Sequence, residues 1–196
     1  YDSVWKFSTI VEQYERISYP AEGNSLPQKL QIDGSQIIIN DFTGNKLTLL
    51  DPNPSNGEIN YLSIPSPVDN SVTADFTVDT NDNIWFTNWL FQQGGVLVKF
   101  NQNGYLDLAA NSGEQFLPLL DFVEVYQLPP ELFTPNGAAV TDDGTIWLAD
   151  TTSSSFFNFD PFTEQFTQYV TAEPQLSTYG NQTGGVQSPI SRPYWI

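Results

Sequence analysis

Residues 143–150 read DGTIWLAD, and two similar stretches precede them in the chain: NDNIWFTN at 81–88 and DGSQIIIND at 33–41. Each stretch begins with a turn of Asp, Asn or Gly, residues that tolerate the positive φ of a tight hairpin. Each continues as a short apolar strand that ends in Asn or Asp. A turn and strand that recur in this way indicate a repeat architecture.

Three further strands accompany each copy of this stretch. One precedes the turn and two follow the strand, the last running into a proline. The strand before the turn lies at 26–32, 72–78 and 135–140, and the first strand after the copy lies at 46–52, 96–101 and 155–161. The last strand lies at 59–65, 123–129 and 165–174. A strand of the same kind at 12–20 closes the partial blade that precedes the first copy. Four strands per unit predict a β-propeller blade. A β-sandwich or single barrel also has short strands between turns, but it does not explain why IW recurs at 84–85 and 146–147, or why LDP at 50–52 is matched by FDP at 159–161.

The anchor residues Phe7, Leu50, Phe100 and Phe159 recur at intervals of roughly 40–60 residues, as expected of propeller blades. We therefore predict an all-β protein, a β-propeller of four-stranded antiparallel blades, with three whole blades and partial blades at both ends.

The predicted organisation has an insertion near 105–119 that extends the outer hairpin of the second whole blade. Because both ends fall inside blades, we expect a portion of a longer propeller. The predicted segments are a partial blade at 1–20, blades at 21–65, 66–129 and 130–174, a loop at 175–190, and the start of another blade at 191–196.

The charge balance is strongly acidic, with six Lys and Arg against 23 Asp and Glu and a net charge of −17. Nucleic-acid partners are not expected, because phosphate contacts need clustered basic residues. No apolar run is long enough to insert in a membrane. Cysteine is absent, which excludes disulfides and thiol chemistry. Scarce Lys and abundant polar residues favour an extracellular or cell-surface location, where the sequon at Asn181 predicts a glycoprotein.

The segments NIWFTN, GTIWLAD, FDPFTEQFTQY and RPYWI resemble the virginiamycin B (streptogramin) lyase-like propellers, within a wider group that includes NHL-repeat and gluconolactonase-like propellers. The resemblance implies the propeller fold. It also implies an elimination that opens a cyclic depsipeptide, with a histidine, a divalent metal and a carboxylate. This chain has no histidine. Either the catalytic residues lie outside these 196 residues or the protein is a non-enzymatic relative, and we favour the second interpretation.

Three polar residues end the second strand of successive blades: Asp41, Asn88 and Asp150. In a propeller such positions surround the mouth of the central channel, where their oxygens would suit Ca²⁺ or Mg²⁺. The alternative is that each residue caps its strand by hydrogen-bonding the following turn. No other cofactor is expected.

Aromatic and basic residues extend the predicted ligand or partner face. Trp89 and Phe91 follow Asn88 in an expected loop, where they would contact a ligand or pack on the neighbouring blade. Arg192 and Tyr194 enter the last strand from the same face, and Arg192 would pair with an anion or with an acidic residue of the next blade. The stretch DTNDN at 79–83 begins like a calcium loop, but Ile84 and Leu90 replace its glycine and glutamate. It therefore predicts a hairpin turn.

These features favour a non-catalytic binding or assembly module, with a protein or small-molecule ligand at its loop-bearing face. One alternative is a metal-dependent lyase or lactonase whose catalytic residues lie outside this segment. Another is a structural component of a surface layer or envelope complex.

Overall fold

The structure is a computed structural model, which describes residues 3–21, 23–53, 60–90, 93–112, 119–153 and 155–170. Strands β1 (Ser3–Ser8) and β2 (Gln13–Ser18) form a two-stranded sheet. The first four-stranded blade contains β3 (Pro27–Asp33), β4 (Gln36–Asp41), β5 (Lys46–Asp51) and β6 (Asn60–Pro65). The second contains β7 (Val72–Val78), β8 (Asn83–Leu90), β9 (Gly94–Asn101) and β10 (Val123–Gln127). The third contains β11 (Pro135–Val140), β12 (Ile146–Asp150), β13 (Ser155–Asp160) and β14 (Gln165–Val170).

Within each of the three larger sheets, the strands pair in the order in which they occur in the chain. A four-stranded meander of this kind is the propeller blade, so the predicted fold class is confirmed. The turns that the repeat predicted carry positive φ, at Gly34 (57°), Asp82 (61°) and Gly144 (86°). Only glycine and small polar residues adopt this conformation at little cost, which explains the recurring Asp, Asn and Gly.

The chain divides into two compact units, Tyr1–Thr73 and Ala74–Ile196. In the first unit the core joins the two-stranded sheet to the first blade. Ile17 and Tyr19 are buried there with Ile39 and Leu50. The two middle strands of the first blade, β4 and β5, contain nearly continuous runs of buried residues.

In the second unit, aromatic side chains fill the space between the second and third blades. Trp85 is 1% exposed and contacts the rings of Tyr126 and Phe159, each at 5.9 Å between centroids. Two polar contacts cross the same boundary. The Asp75 carboxylate accepts a hydrogen bond from the backbone N of Ala138 at 2.8 Å, and Thr87 donates to the Pro135 carbonyl at 3.0 Å. These contacts hold β7 and β8 of the second blade against β11, the first strand of the third blade.

The insertion between β9 and β10 contains a helix, which the strand pattern did not predict. Helix α1 spans Gln102–Ser112, and a 3-10 turn spans Leu119–Phe122. Tyr105 anchors the helix, because its ring contacts Phe100 at 5.9 Å and Phe122 at 5.5 Å. No helix in the described part of the chain is both long enough and apolar enough to cross a bilayer.

Gly95 makes a close backbone approach in the second unit, and its replacement tests the packing of β8 on β9. A Cβ added to Gly95 would lie 2.3 Å from the carbonyl oxygen of Asn88 and 2.6 Å from Cβ of Trp89. We expect Gly95→Ala to lower the free energy of unfolding by about 2 kcal/mol, because paired backbone has to move. Urea unfolding followed by Trp fluorescence measures this change.

The matched control is Gly23→Ala, whose added Cβ meets no atom within 4 Å. It is expected to unfold at the wild-type urea concentration. Equal midpoints for Gly95→Ala and wild type would contradict the proposed clash.

Candidate functional site

Asp41 ends β4 and organises the loops around it. Its carboxylate is fully buried and accepts hydrogen bonds from the backbone N of Leu26 at 2.6 Å and of Gly44 at 3.0 Å. The Tyr19 hydroxyl donates a third bond at 3.1 Å. Leu26 precedes the inner strand of this blade, and Gly44 lies in the β4–β5 turn. One side chain therefore ties the entry into the blade to its next hairpin.

Asp150 does the same at the end of β12. Its fully buried carboxylate accepts bonds from the backbone N of Phe133 and Thr134, from the Thr134 hydroxyl and from the backbone N of Thr152, all at 2.9–3.0 Å. The donors again come from the segment before the inner strand and from the turn after the Asp. Three of these donors bond Oδ1 and one bonds Oδ2, so the local donors use most of the capacity of the carboxylate to accept hydrogen bonds.

The contacts of Asp41 and Asp150 match the capping alternative, in which the side chain hydrogen-bonds its own turn. Among the residues that the structure describes, no group of three or more acidic side chains is arranged to hold a metal ion. The Ca²⁺ or Mg²⁺ ring at Asp41, Asn88 and Asp150 stays a prediction.

Asn88 and Trp89 are buried within β8, which continues to Leu90. The prediction of a loop after Asn88 was therefore wrong for Trp89 and Leu90. The physical reason lies in the partner strand, where Trp89 pairs with Gly95 and Leu90 with Gly94. Gly95 lets the strands run close together past the expected end, because a Cβ there would lie 2.6 Å from Cβ of Trp89, and Gly94 supplies the positive φ (83°) at the start of β9. The predicted positions Phe91, Asn181, Arg192 and Tyr194 lie outside the described residues.

A cleft opens in the first unit beside Asp41. We call it the polar cleft; it has a volume of about 410 Å³ and is lined by residues 23–25, 43–45 and 70–71. Its lining comes from three segments: the entry to β3, the β4–β5 turn and the connection from β6 to β7. Among the described residues, the lining side chains are uncharged Asn, Ser or Thr, apart from two glycines.

Hydrogen bonds join the three segments of the polar cleft. The Thr43 hydroxyl donates to the carbonyl of Asn24, which joins the β4–β5 turn to the entry segment. On the other side, Asn45 donates to the Val68 carbonyl at 3.1 Å and accepts a bond from the Ser71 hydroxyl at 2.5 Å. The cleft is therefore formed by loops that are bonded to one another and not by a single mobile turn.

The second unit has a cleft of different character, which we call the proline cleft. It has a volume of about 420 Å³ and lies between the start of β9 and the β10–β11 connection, with Leu128, Pro130, Leu132 and Phe133 on its apolar side. Gln127 and the backbone N of Leu128 both donate to the carbonyl of Gly95, which closes one end.

Asp79 forms the hairpin turn that the sequence predicted in place of a calcium loop. Its carboxylate accepts bonds from the backbone N of Asn81 and Asn83, and from the Trp85 indole at 2.8 Å. Partial burial by itself raises the pKa of Asp79, but the hydrogen bonds from Trp85, Asn83 and Asn81 outweigh it. The net effect holds the pKa below its ordinary value of 3.8.

The sequence pattern did not single out the polar cleft. Asn45 and Asn70 both have a φ of 57°, a conformation that Asn tolerates better than most residues. The β4–β5 turn could have been predicted from Asn45, which follows the strand-ending Asp41 by four residues. Residues 23–25 and 70–71 lie side by side because of strand pairing, and the local sequence around them does not predict that pairing.

No protein-family model matches the sequence, and no curated protein matches it. The structure is similar to virginiamycin B lyase from Staphylococcus aureus, with a TM-score of 0.63 at 14% identity over 88% of this chain and 50% of that chain. A catalytically inactive variant of that enzyme with quinupristin has a TM-score of 0.62, at the same identity and coverage. A proposed 6-phosphogluconolactonase from Bacteroides uniformis has a TM-score of 0.54 at 12% identity over 85% of this chain and 46% of that chain.

These likenesses agree with the propeller fold and, at such low identity, show the fold alone. The chain spans about half the length of these solved structures.

Substitution of Asp150 tests whether its carboxylate holds the loops. We expect Asp150→Asn to lower the free energy of unfolding by about 2–3 kcal/mol, because an amide NH₂ then faces backbone donors that stay buried. The exposed Asp142, in the β11–β12 turn, provides a control that removes the same charge. Urea unfolding should show a loss for Asp150→Asn and none for Asp142→Asn; equal behaviour of the two variants would refute the capping role.

The lowered pKa of Asp79 predicts a pH-dependent contribution to stability. A carboxyl whose pKa is depressed in the folded state stabilises the fold above its ordinary value of 3.8, and this contribution disappears as the pH falls through the folded pKa. Asp79→Asn should therefore melt below wild type at neutral pH, and the difference should shrink towards about pH 2. Thermal unfolding across this range measures it, and a gap that is constant with pH would contradict the assignment.

Proposed function

We propose that this chain is a non-catalytic binding or assembly module that acts outside the cell or on its surface. The observation that carries the proposal is the use of Asp41 and Asp150. Their buried carboxylates accept three and four hydrogen bonds from the surrounding loops. A carboxylate engaged in this way builds a loop surface and has little capacity left for a metal or for proton transfer.

The surface that these carboxylates build supports binding. The Asp41 loops border the polar cleft of the first unit, and the Asp150 loops lead into the segment that lines the proline cleft of the second. Both volumes fall in the ~300–1,000 Å³ range that ligand pockets occupy. Binding residues are commonly placed on loops held by a rigid scaffold, and the propeller supplies that scaffold.

The net negative charge of the chain supports a protein or small-molecule partner. With a net charge of −17, the chain is expected to reject nucleic acid and acidic surfaces, and to favour neutral or basic ligands. A protein or a small molecule at the loop-bearing ends of the blades therefore fits better than a polyanion. The acidic, lysine-poor composition also supports an extracellular or cell-surface location.

A turnover assay distinguishes this proposal from a lyase or lactonase. The purified chain is incubated with quinupristin and, separately, with a sugar lactone, with added Mg²⁺ or Ca²⁺, and ring-opened product is followed by mass spectrometry. We expect no product above the rate without protein. Ring opening that is proportional to protein concentration and abolished by EDTA would contradict the non-catalytic proposal.

A further inference from the structure

We propose that the polar cleft of the first unit binds a neutral, hydroxyl-rich ligand of the saccharide class. The inference rests on the proposed binding function and names its ligand chemistry. It starts from the lining, which in the described part of the chain consists of amide and hydroxyl side chains and glycines, without a charged or aromatic residue. The proline cleft also has no charged residue in its described lining, but its lining is largely apolar, whereas the described lining of the polar cleft has no apolar side chain.

The electrostatics exclude charged ligands. An anion would find no basic side chain in the cleft and would approach a protein with a net charge of −17. A metal cation would need several oxygen ligands, preferably carboxylates. The described lining has no carboxylate, and the nearby Asp41 carboxylate is buried and accepts bonds from Tyr19, Leu26 and Gly44. The ligand is therefore neutral.

The hydrogen-bonding chemistry favours hydroxyl groups on the ligand. Asn side chains offer a donor and an acceptor side by side, and Thr and Ser hydroxyls serve as either, which matches the paired hydroxyls of a sugar ring. An apolar ligand would displace water from the exposed Asn24 and Asn70 side chains without replacing its hydrogen bonds, at a cost in affinity. A peptide would instead use apolar side-chain pockets or an open strand edge, and neither is part of this lining.

The cleft is held in shape before a ligand arrives. Asn45 is fixed by its bonds to Val68 and Ser71, and the Thr43 hydroxyl is fixed on the carbonyl of Asn24. Gly44 packs so closely that an added Cβ would lie 2.3 Å from the Asp41 carboxylate carbon. Around this base, Asn24, Thr43 and Asn70 are exposed at the rim. Preorganised polar groups reduce the ordering cost of binding, so binding in the millimolar range or tighter is expected from a single sugar unit.

Titration by NMR tests the proposal with maltose and N,N′-diacetylchitobiose as neutral probes. The side-chain amide signals of Asn24 and Asn70 should shift saturably. Glucuronate, which adds one negative charge to glucose, should bind more weakly than glucose. Asn24→Ala should weaken the binding about threefold to tenfold, as expected for the loss of a neutral hydrogen bond.

A blocking variant and its control locate the binding. Gly23 has open space around its missing side chain and no positive φ, so Gly23→Phe fills the cleft without strain. It should retain the wild-type urea midpoint and lose at least about tenfold in affinity. Thr9→Phe places the same exposed ring in the β1–β2 turn, outside the lining, and should bind as wild type does.

The outcomes separate the ligand class from the proposed function. Saccharide shifts that disappear in Gly23→Phe and persist in Thr9→Phe support the proposal, whereas equal shifts in both variants overturn it. If a neutral peptide shifts these signals and no saccharide does, the ligand class is wrong and the binding module stands. If nothing binds and quinupristin is opened, both proposals fail.

Discussion

The hydrogen bonds from loop backbone to a buried, strand-ending aspartate are the interaction on which the loop surface depends. A blade entry and a β-hairpin both carry backbone N–H groups that no strand pairs, and such groups are costly to bury without a partner. Asp41 and Asp150 satisfy several of these groups at once because an ionised carboxylate accepts up to about four bonds. The rest of the surface follows from this: where the loops are held, clefts of defined shape form between them.

Close approach is the second part of the same arrangement. Gly44 brings its backbone N to the Asp41 carboxylate, and a side chain there would collide with it. Gly95 plays a related role in β9, where it lets the carbonyl of Asn88 and the Trp89 side chain pack against the strand. In both places an absent side chain lets a polar or aromatic group of the preceding strand remain buried, so the strand ends stay ordered.

Hydrogen bonds within turns explain how a chain with a net charge of −17 accommodates several of its carboxylates. Several carboxylates are bound by local donors and not by cations: Asp79 by its own hairpin, Asp143 by Thr141 and Thr145, and Asp160 by Phe162 and Thr163. The turn hydrogen bonds lower the pKa of Asp143 and Asp160, as they do for Asp79. These residues remain ionised at neutral pH while they stabilise turns, and the few basic residues are not needed for that purpose.

The sequence by itself determined the blades, because the features that define them are local. A turn that needs positive φ and a strand with a particular run of apolar residues are written in consecutive positions, and so is the Asp79 hairpin. Tertiary structure alone decided how far β8 extends, since that depends on the close approach of Gly95 in the facing strand. It also decided that Asp41 would accept bonds from a loop fifteen residues away, and that residues 23–25, 43–45 and 70–71 would meet. Such contacts form only when strands pair into a blade. They cannot be predicted from Asn, Ser, Thr and Gly, because these residue types are common in any turn.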